Sequence, residues 1–388
     1  MLNYLPFSSL SSLSSISTSL PLSHSDMSPI YPLSLFIQFF YCSAQYSSYQ
    51  NEVDSLRFFV IGDIGGIPVW EVTSVQKQVA KAMINRSKGV KSIINLGDNF
   101  YFTGVMSDTD PRFNTTFEDV YRDTAIPWLT IAGNHDHFGN VQAQISYTSK
   151  SKLWYFPSLY YNKVYQEGNI SVEFIMLDTI ELCGNSVDVQ SGKIWDVIKD
   201  TIKKKWNGEK MKPKDPQKAE EQWIWLEKTL NNSKADYVFV GGHYPVYSIS
   251  SHGPTQCLVD RLIPLLKKYK VTAYFSGHDH SLQHLESDGI TYIVSGAGSR
   301  SDQSTAYKDR LKGRGITTHW HYPPFSLLHI LSQLGVNDGG FVELNIIKNR
   351  TTVVYLNKEG AQKYASYLYP RWMAIPNSDL GKSIDEEL

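Results

Sequence analysis

RFFVIGD, residues 57–63, runs a short apolar stretch into a glycine and then into a carboxylate. Four further segments end in the same way: SIINLGD (92–98), WLTIAGN (128–134), YVFVGGH (237–243) and AYFSGH (273–278). The apolar runs have strand length and are rich in β-branched and aromatic residues. Their last residues, Asp63, Asp98, Asn134, His243 and His278, can all ligate a metal. Five such endings in one chain imply five strands whose carboxyl ends converge, the place where α/β sheets hold ligands. Tyr101 and His280 stand just beyond two of those ends. A glycine before each ligand lets the backbone turn sharply and approach a metal closely, because it has no Cβ. One GD or GH pair carries little information, whereas the joint pattern reads as a two-metal hydrolytic site.

Working outward, helical spacing alternates with the strand-like runs. Val72, Val75, Val79 and Met83 follow the first strand, and Phe113, Phe117 and Val120 follow the second. Trp223, Leu226 and Leu230 precede YVFVG; Leu258, Leu262, Leu265 and Tyr269 precede AYFSG. These stripes read as core-facing helix sides in an α/β architecture. Strands near 340–347 and 351–356, joined by a turn at Lys348-Asn349, are expected to complete a second sheet. Residues 186–217, rich in lysine, and 300–336, without clear period, read as surface-loop insertions near the rim of the site. His319, His321 and His329 fall in the second insertion and read as ordinary loop histidines rather than a further metal site.

The 388 residues are 41% hydrophobic and contain no internal repeat, which favours one large catalytic domain over 45–388. A formal charge of −1 leaves no basic surplus for a phosphate backbone, so nucleic acid is not expected as a partner. Residues 1–44 read as an N-terminal extension ending in a signal peptide. Leu33 to Tyr41 is apolar, Ala44 suits a cleavage site, and translation could start at Met27, although a basic n-region is missing. The apolar run is too short to span a bilayer. If Cys42 is removed with the signal, Cys183 and Cys257 remain as one possible disulfide, closing a loop of about 75 residues worth about 4 kcal/mol in the chain-entropy model. Two reduced, buried thiols are the alternative. Sequons at Asn85, Asn114, Asn169, Asn231 and Asn349 are glycosylation candidates if the chain is secreted. The C-terminal DEEL reads as an ordinary tail.

GDIGG, GDNFY with Tyr101, GNHD, GGHYP and GHDH together resemble the calcineurin-like metallophosphoesterases. The tyrosine three residues after the second aspartate is similar to the purple acid phosphatases. FYFTGV, FEDVY, LDTIELCGNS, GHYPVYSI, HGPTQCLV and SGAG extend the resemblance over about 57–357 toward the small, mammalian-type tartrate-resistant group. The resemblance implies an α/β sandwich of two mixed β-sheets with flanking helices. It also places Asp63, Tyr101 and His280 on one metal, Asn134, His243 and His278 on the other, and Asp98 between them. Charge counting agrees: the carboxylate and phenolate side suits Fe(III), and the amide and imidazole side suits Fe(II), Zn(II) or Mn(II). A purple or pink tyrosinate–Fe(III) band is implied with it.

The implied reaction is hydrolysis of phosphate monoesters by a hydroxide generated at the metals. His135 is the candidate for protonating the leaving group, with Asp136 orienting it or a neighbouring ligand. His252 is a candidate substrate contact at the rim. Ile64 and Ser251 depart from the mammalian pattern and leave substrate preference and pH optimum open; Ser299 departs from it after SGAG. The 186–217 segment corresponds to a repressive loop opened by a protease in the relatives. A monomer in the secreted or lysosomal space, acting on phosphoproteins, nucleotides or small esters, is expected. The rival readings are a Zn/Mn phosphodiesterase on the same scaffold and an iron-carrying glycoprotein with little turnover.

Overall fold

The computed structural model describes residues 54–66, 71–186, 211–324 and 338–373. The expected signal segment, residues 187–210 of the first insertion, His329 and the C-terminal DEEL lie outside them. Two seven-stranded sheets carry the fold. The first contains β1 (Leu56–Ile61), β2 (Val90–Asn95), β3 (Trp128–Thr130) and β4 (Trp154–Tyr155), with β12 (Gly340–Ile346), β13 (Thr351–Asn357) and β14 (Gln362–Leu368). Its order is β14-β13-β12-β1-β2-β3-β4. The second contains β5 (Tyr161–Glu167), β6 (Ile170–Met176), β7 (Tyr237–Gly242), β8 (Ala273–Ser276), β9 (Leu282–Ser287), β10 (Ile290–Ser295) and β11 (Thr317–Tyr322). Its order is β11-β9-β10-β8-β7-β6-β5. Both are mixed: β1, β2, β3 and β4 run parallel, as do β6, β7, β8 and β10, while the outer strands pair antiparallel.

Strand alternation separates two cores. Phe58 of β1 meets Phe174 of β6 between the sheets, ring centroids 4.8 Å apart, and Phe239 and Phe275 of the second sheet continue that layer. Their sequence neighbours Ile175, Val238, Val240 and Tyr274 point the other way, into a second core. Helices α4 (Pro216–Asn232) and α5 (Gln256–Lys268) cover it with Trp223, Leu226, Leu230, Leu258, Leu262 and Leu266. Each such side chain, fully buried, stabilises the fold by about 1.5–3 kcal/mol.

Caps place the helices. Thr73 accepts from the Gln76 amide at 3.0 Å to start α1 (Ser74–Arg86) and donates to the Ser299 carbonyl. Asn140 caps α2 (Val141–Tyr147), Asp178 caps α3 (Thr179–Cys183), and Asp215, followed by Pro216, caps α4. Cys183 at the end of α3 is disulfide-bonded to Cys257 in the first turn of α5, Cα atoms 5.7 Å apart. The expected pair therefore forms, and the two-thiol alternative is set aside.

Three local expectations change. The 340–347 and 351–356 strands do not complete the second sheet. They extend the first, with Leu56 opposite Ile346 and β14 added outside β13. Within 300–336, the described part is not all loop: α6 (Lys308–Lys312) leads into β11, which closes the second sheet beside β9. The strand was obscured because its register shifts between Thr318 and Trp320, breaking the period-two pattern at His319. Phe113 to Val120 begins as a wide π-type turn, Phe113–Glu118, before a short α-turn. No helix among the described residues is long and apolar enough to cross a membrane.

Candidate metal centre

Strands β1, β2 and β3 of the first sheet and β7 and β8 of the second point their carboxyl ends at one place. The turns there are laced together across the sheets: Gly62 N–H donates to the Ser295 carbonyl at 2.8 Å, Asp63 N–H to Gly97 at 2.9 Å, and Gly277 N–H to His243 at 3.1 Å. Asp63, Asp98 and His278 sit at φ 59°, 53° and 67°, left-handed conformations that non-glycine residues adopt at a cost. Gly97 at φ 93° requires glycine outright, and a Cβ on Gly133 would collide with the Asp98 carboxylate and amide. The glycines thus fulfil the close-approach role their sequence positions imply.

The seven predicted ligands meet in two linked groups. Tyr101 donates its hydroxyl to Asp63 Oδ1 at 2.8 Å and lies 3.0 Å from His280 Nε2, which is 3.4 Å from the same carboxylate oxygen. Ligand atoms of Asp98, His243 and His278 lie within 4.8 Å of one another, the one three-residue cluster of metal-binding type among the described residues. His243 directs Nδ1–H at the Leu96 carbonyl at 2.9 Å, so Nε2 is the nitrogen that faces the site. That atom faces Asn134 Oδ1 at 2.9 Å and Asp98 Oδ2 at 3.4 Å. Acceptors turned on one another around an ordered imidazole are what a divalent cation requires, and the carbonyl-anchored Nδ1 is the usual support for a ligating histidine. The donor set fits two metal ions.

Electrostatics give the same picture from the protein's own charges. Burial pushes the Asp63 carboxyl up to about 7, aided by Asp98. Burial also raises the Tyr101 phenol well above its ordinary value, with Asp63 and Asp98 adding to it. Asp98 is held low despite its burial, because His243 and His135 lie beside it, and His243 is correspondingly raised to about 9. A buried carboxylate pair with a phenol is expensive to ionise, and bound cations invert that cost.

His135 packs tilted against Tyr101, ring centroids 4.5 Å apart, and gives its backbone N–H to Asp98 Oδ1 at 2.9 Å. Its Nδ1 donates to the Phe102 carbonyl at 2.8 Å, which leaves Nε2 for chemistry. Burial holds its pKa below the usual histidine value, against the pull of Asp98. Asp136 does not touch that ring. It is fully buried and accepts from the Gly133, Asn99 and Phe100 amides and from the Gln144 and Asn99 side chains, fixing the turns that carry Asp98 and Asn134. His252 is brought to the rim, 4.0 Å from the His278 ring, with Nδ1 on Asp279 Oδ1 at 2.7 Å.

Several partners escaped sequence reasoning. Asp279 lies between two ligands but serves His252; Asn185, just past α3, donates to the Asn134 carbonyl at 3.2 Å; Ser299 donates to the Asp63 carbonyl at 2.6 Å; and Arg300 reaches His280. Asp279 lies inside GHDH, Asn185 inside LDTIELCGNS and Ser299 just after SGAG, whereas Arg300 had no motif to mark it. His319 pairs with Glu286 at 3.0 Å, away from the metal cluster, and His321 lies on the same strand. Asn85, Asn114, Asn169, Asn231 and Asn349 are all exposed.

The calcineurin-like phosphoesterase family model matches residues 56–282. Tartrate-resistant acid phosphatase type 5 of Oryctolagus cuniculus is 40% identical over 333 residues, 83% of this chain and 93% of its own. The Mus musculus enzyme of that name is 41% identical over 327 residues, 81% and 90% respectively. Among solved structures, Plasmodium GAP50, described as the anchor in the inner membrane complex, superposes with a TM-score of 0.62 at 22% identity, over 84% of this chain and 99% of that one. That last likeness is one of fold.

Proposed function

The chain belongs to the calcineurin-like phosphoesterases, among the tartrate-resistant members of the purple acid phosphatase family, and is an acid phosphatase; on that premise we propose that it hydrolyses phosphate monoesters at a binuclear Fe(III)–M(II) centre. Asp63, Tyr101 and His280 would hold the trivalent ion, and Asn134, His243 and His278 the divalent Fe, Zn or Mn, with Asp98 shared. The observation that carries the proposal is the convergence of His243 Nε2, Asn134 Oδ1 and Asp98 Oδ2 beside the Asp63–Tyr101–His280 group. A phenol and carboxylate on one side and neutral donors on the other favour unlike charges on the two ions.

When bound, the ions supply Lewis acidity that neutralises phosphoryl oxygens and makes hydroxide available below neutral pH. The protein's own residues do the rest. Asp98 and Tyr101 fix the two halves of the site relative to each other, and the disulfide-tethered α3 holds Asn185 against Asn134. His135 offers Nε2 to the leaving alkoxide, its other nitrogen being committed to Phe102. His252, oriented by Asp279, offers Nε2 to a substrate oxygen. His135→Ala should lower kcat by about 100-fold and leave metal content and colour unchanged. Steady-state kinetics with metal analysis checks this, and unaltered turnover would remove His135 from the proton transfer.

The deciding experiment is the visible spectrum of the purified protein, with Tyr101→Phe as control. A band present in the wild type and lost in the variant is the expected result. A colourless, metal-loaded, active wild type would favour the Zn/Mn phosphodiesterase reading; a coloured protein without turnover on any phosphomonoester would favour the iron carrier. We further propose one catalytic domain over 45–388, a secreted or lysosomal setting, glycosylation at some of the five sequons, and a monomer. The disulfide requires an oxidising compartment, and the exposed sequons suit it. Proteolytic activation within 186–217 rests on its lysines.

A further inference from the structure

Arg300 leaves the buried Ser295–Ser299 turn after β10 and stands half-buried at the mouth of the centre. Its Nε donates to His280 Nδ1 at 2.9 Å. Its guanidinium carbon lies 5.0 Å from the centroid of the Tyr101 ring, the same ring against which His135 packs. Among the described residues no carboxylate is within salt-bridge distance of it. A guanidinium is thus kept at the site entrance, beside the candidate proton donor; Asp302, two residues on, feels its charge but does not pair with it.

Holding His280 does not account for that cation. A neutral imidazole that gives its Nε2 lone pair to a metal carries its proton on Nδ1, and an N–H cannot accept from a guanidinium. Ligation through Nε2 and the Arg300 hydrogen bond are therefore alternatives, and ligation frees Nε–H of a guanidinium that already stands beside the Tyr101 ring. The acceptor suited to a planar fork of N–H groups at this place is a tetrahedral oxyanion.

We propose that Arg300 is a phosphate-binding residue of this enzyme, taking an oxygen of the phosphoryl group both in the ester and in the inorganic phosphate product. The assignment rests on the phosphomonoesterase reading above and adds a third contact to it, beyond His135 and His252.

The test uses the metal-loaded full chain and two variants, Arg300→Met, which keeps the stem, and Arg300→Lys, which keeps the charge on a single-point donor. Metal content is measured first, then inorganic phosphate binding by titration calorimetry and KM for para-nitrophenyl phosphate. Arg300→Met is expected to weaken phosphate binding and raise KM by about tenfold each, with Arg300→Lys intermediate and two metals retained in all three proteins. Phosphate affinity within twofold of wild type in Arg300→Met overturns the assignment. So does loss of metal from that variant, which would make Arg300 a support for His280. A loaded wild type that binds no phosphate overturns this assignment and the phosphatase reading together, whereas normal wild-type binding with an unaffected variant overturns this one alone.

Discussion

Asp98→Asn is expected to lower kcat on para-nitrophenyl phosphate by at least about 1,000-fold and to leave fewer than two metals per chain. Asparagine preserves the shape of the side chain and can still accept the His135 N–H that now meets Oδ1. What it lacks is the charge. Asp98 is the carboxylate that both halves of the site use, facing His243 on one side and raising Asp63 on the other. With an amide there, the divalent side would be held by neutral donors alone, and no anion would be shared between the ions. The loss corresponds to about 4 kcal/mol of transition-state stabilisation. Metal analysis beside steady-state kinetics reads both effects. Two metals per chain with more than a tenth of wild-type turnover would show that Asp98 does not join the two positions.

Asp136→Ala is expected to cost about 3–5 kcal/mol of stability, read as a lowered urea midpoint with unchanged slope. The carboxylate is buried, and five donors converge on it, from Gly133, Asn99, Phe100 and Gln144. Removing it leaves these groups without their acceptor in a place that water does not reach. Asp136→Asn should recover little, because an amide turns two hydrogens toward amides that are themselves donors. Activity should fall in both variants, since the disturbed turns carry Asp98 and Asn134. A variant that loses activity without losing stability would instead give Asp136 a direct part in the reaction.

The convergence of the candidate ligands was legible in the sequence because five of them follow their strands directly, so the local pattern of apolar run, glycine and polar side chain already contains the geometry. Asp63, Asp98, Asn134, His243 and His278 needed only parallel strands to be brought together. The sheet memberships were not legible in this way. That β12 pairs with β1 is a fact about residues nearly the whole domain apart, and no local period records it. β14 and β11 are edge strands with weak or broken alternation, the first carrying Lys363 and Ser366 among its aromatics, the second bulged at His319. Of the two parts expected of Asp136, orienting His135 or a neighbouring ligand, it is the turns beside Asp98 and Asn134 that its inward-facing carboxylate holds, while the Phe102 carbonyl steers the His135 ring. Arg300 sits outside every strand-end pattern and reaches the centre only because the turn after β10 folds back over Gly62.

The pairing of Leu56 with Ile346 also sets an order of events on the ribosome. β1 emerges early, together with the β2 and β3 that flank one of its edges, yet the strand that covers its other edge is translated some 280 residues later. Until then the growing chain carries an uncapped strand edge, apolar apart from Arg57, the kind of surface that recruits neighbouring chains. The proposed metal site waits as well, since His280 must leave the tunnel before the last of its candidate donors exists. In a chain of this topology the first sheet, and with it one wall of the site, is completed only when the C-terminal strands arrive.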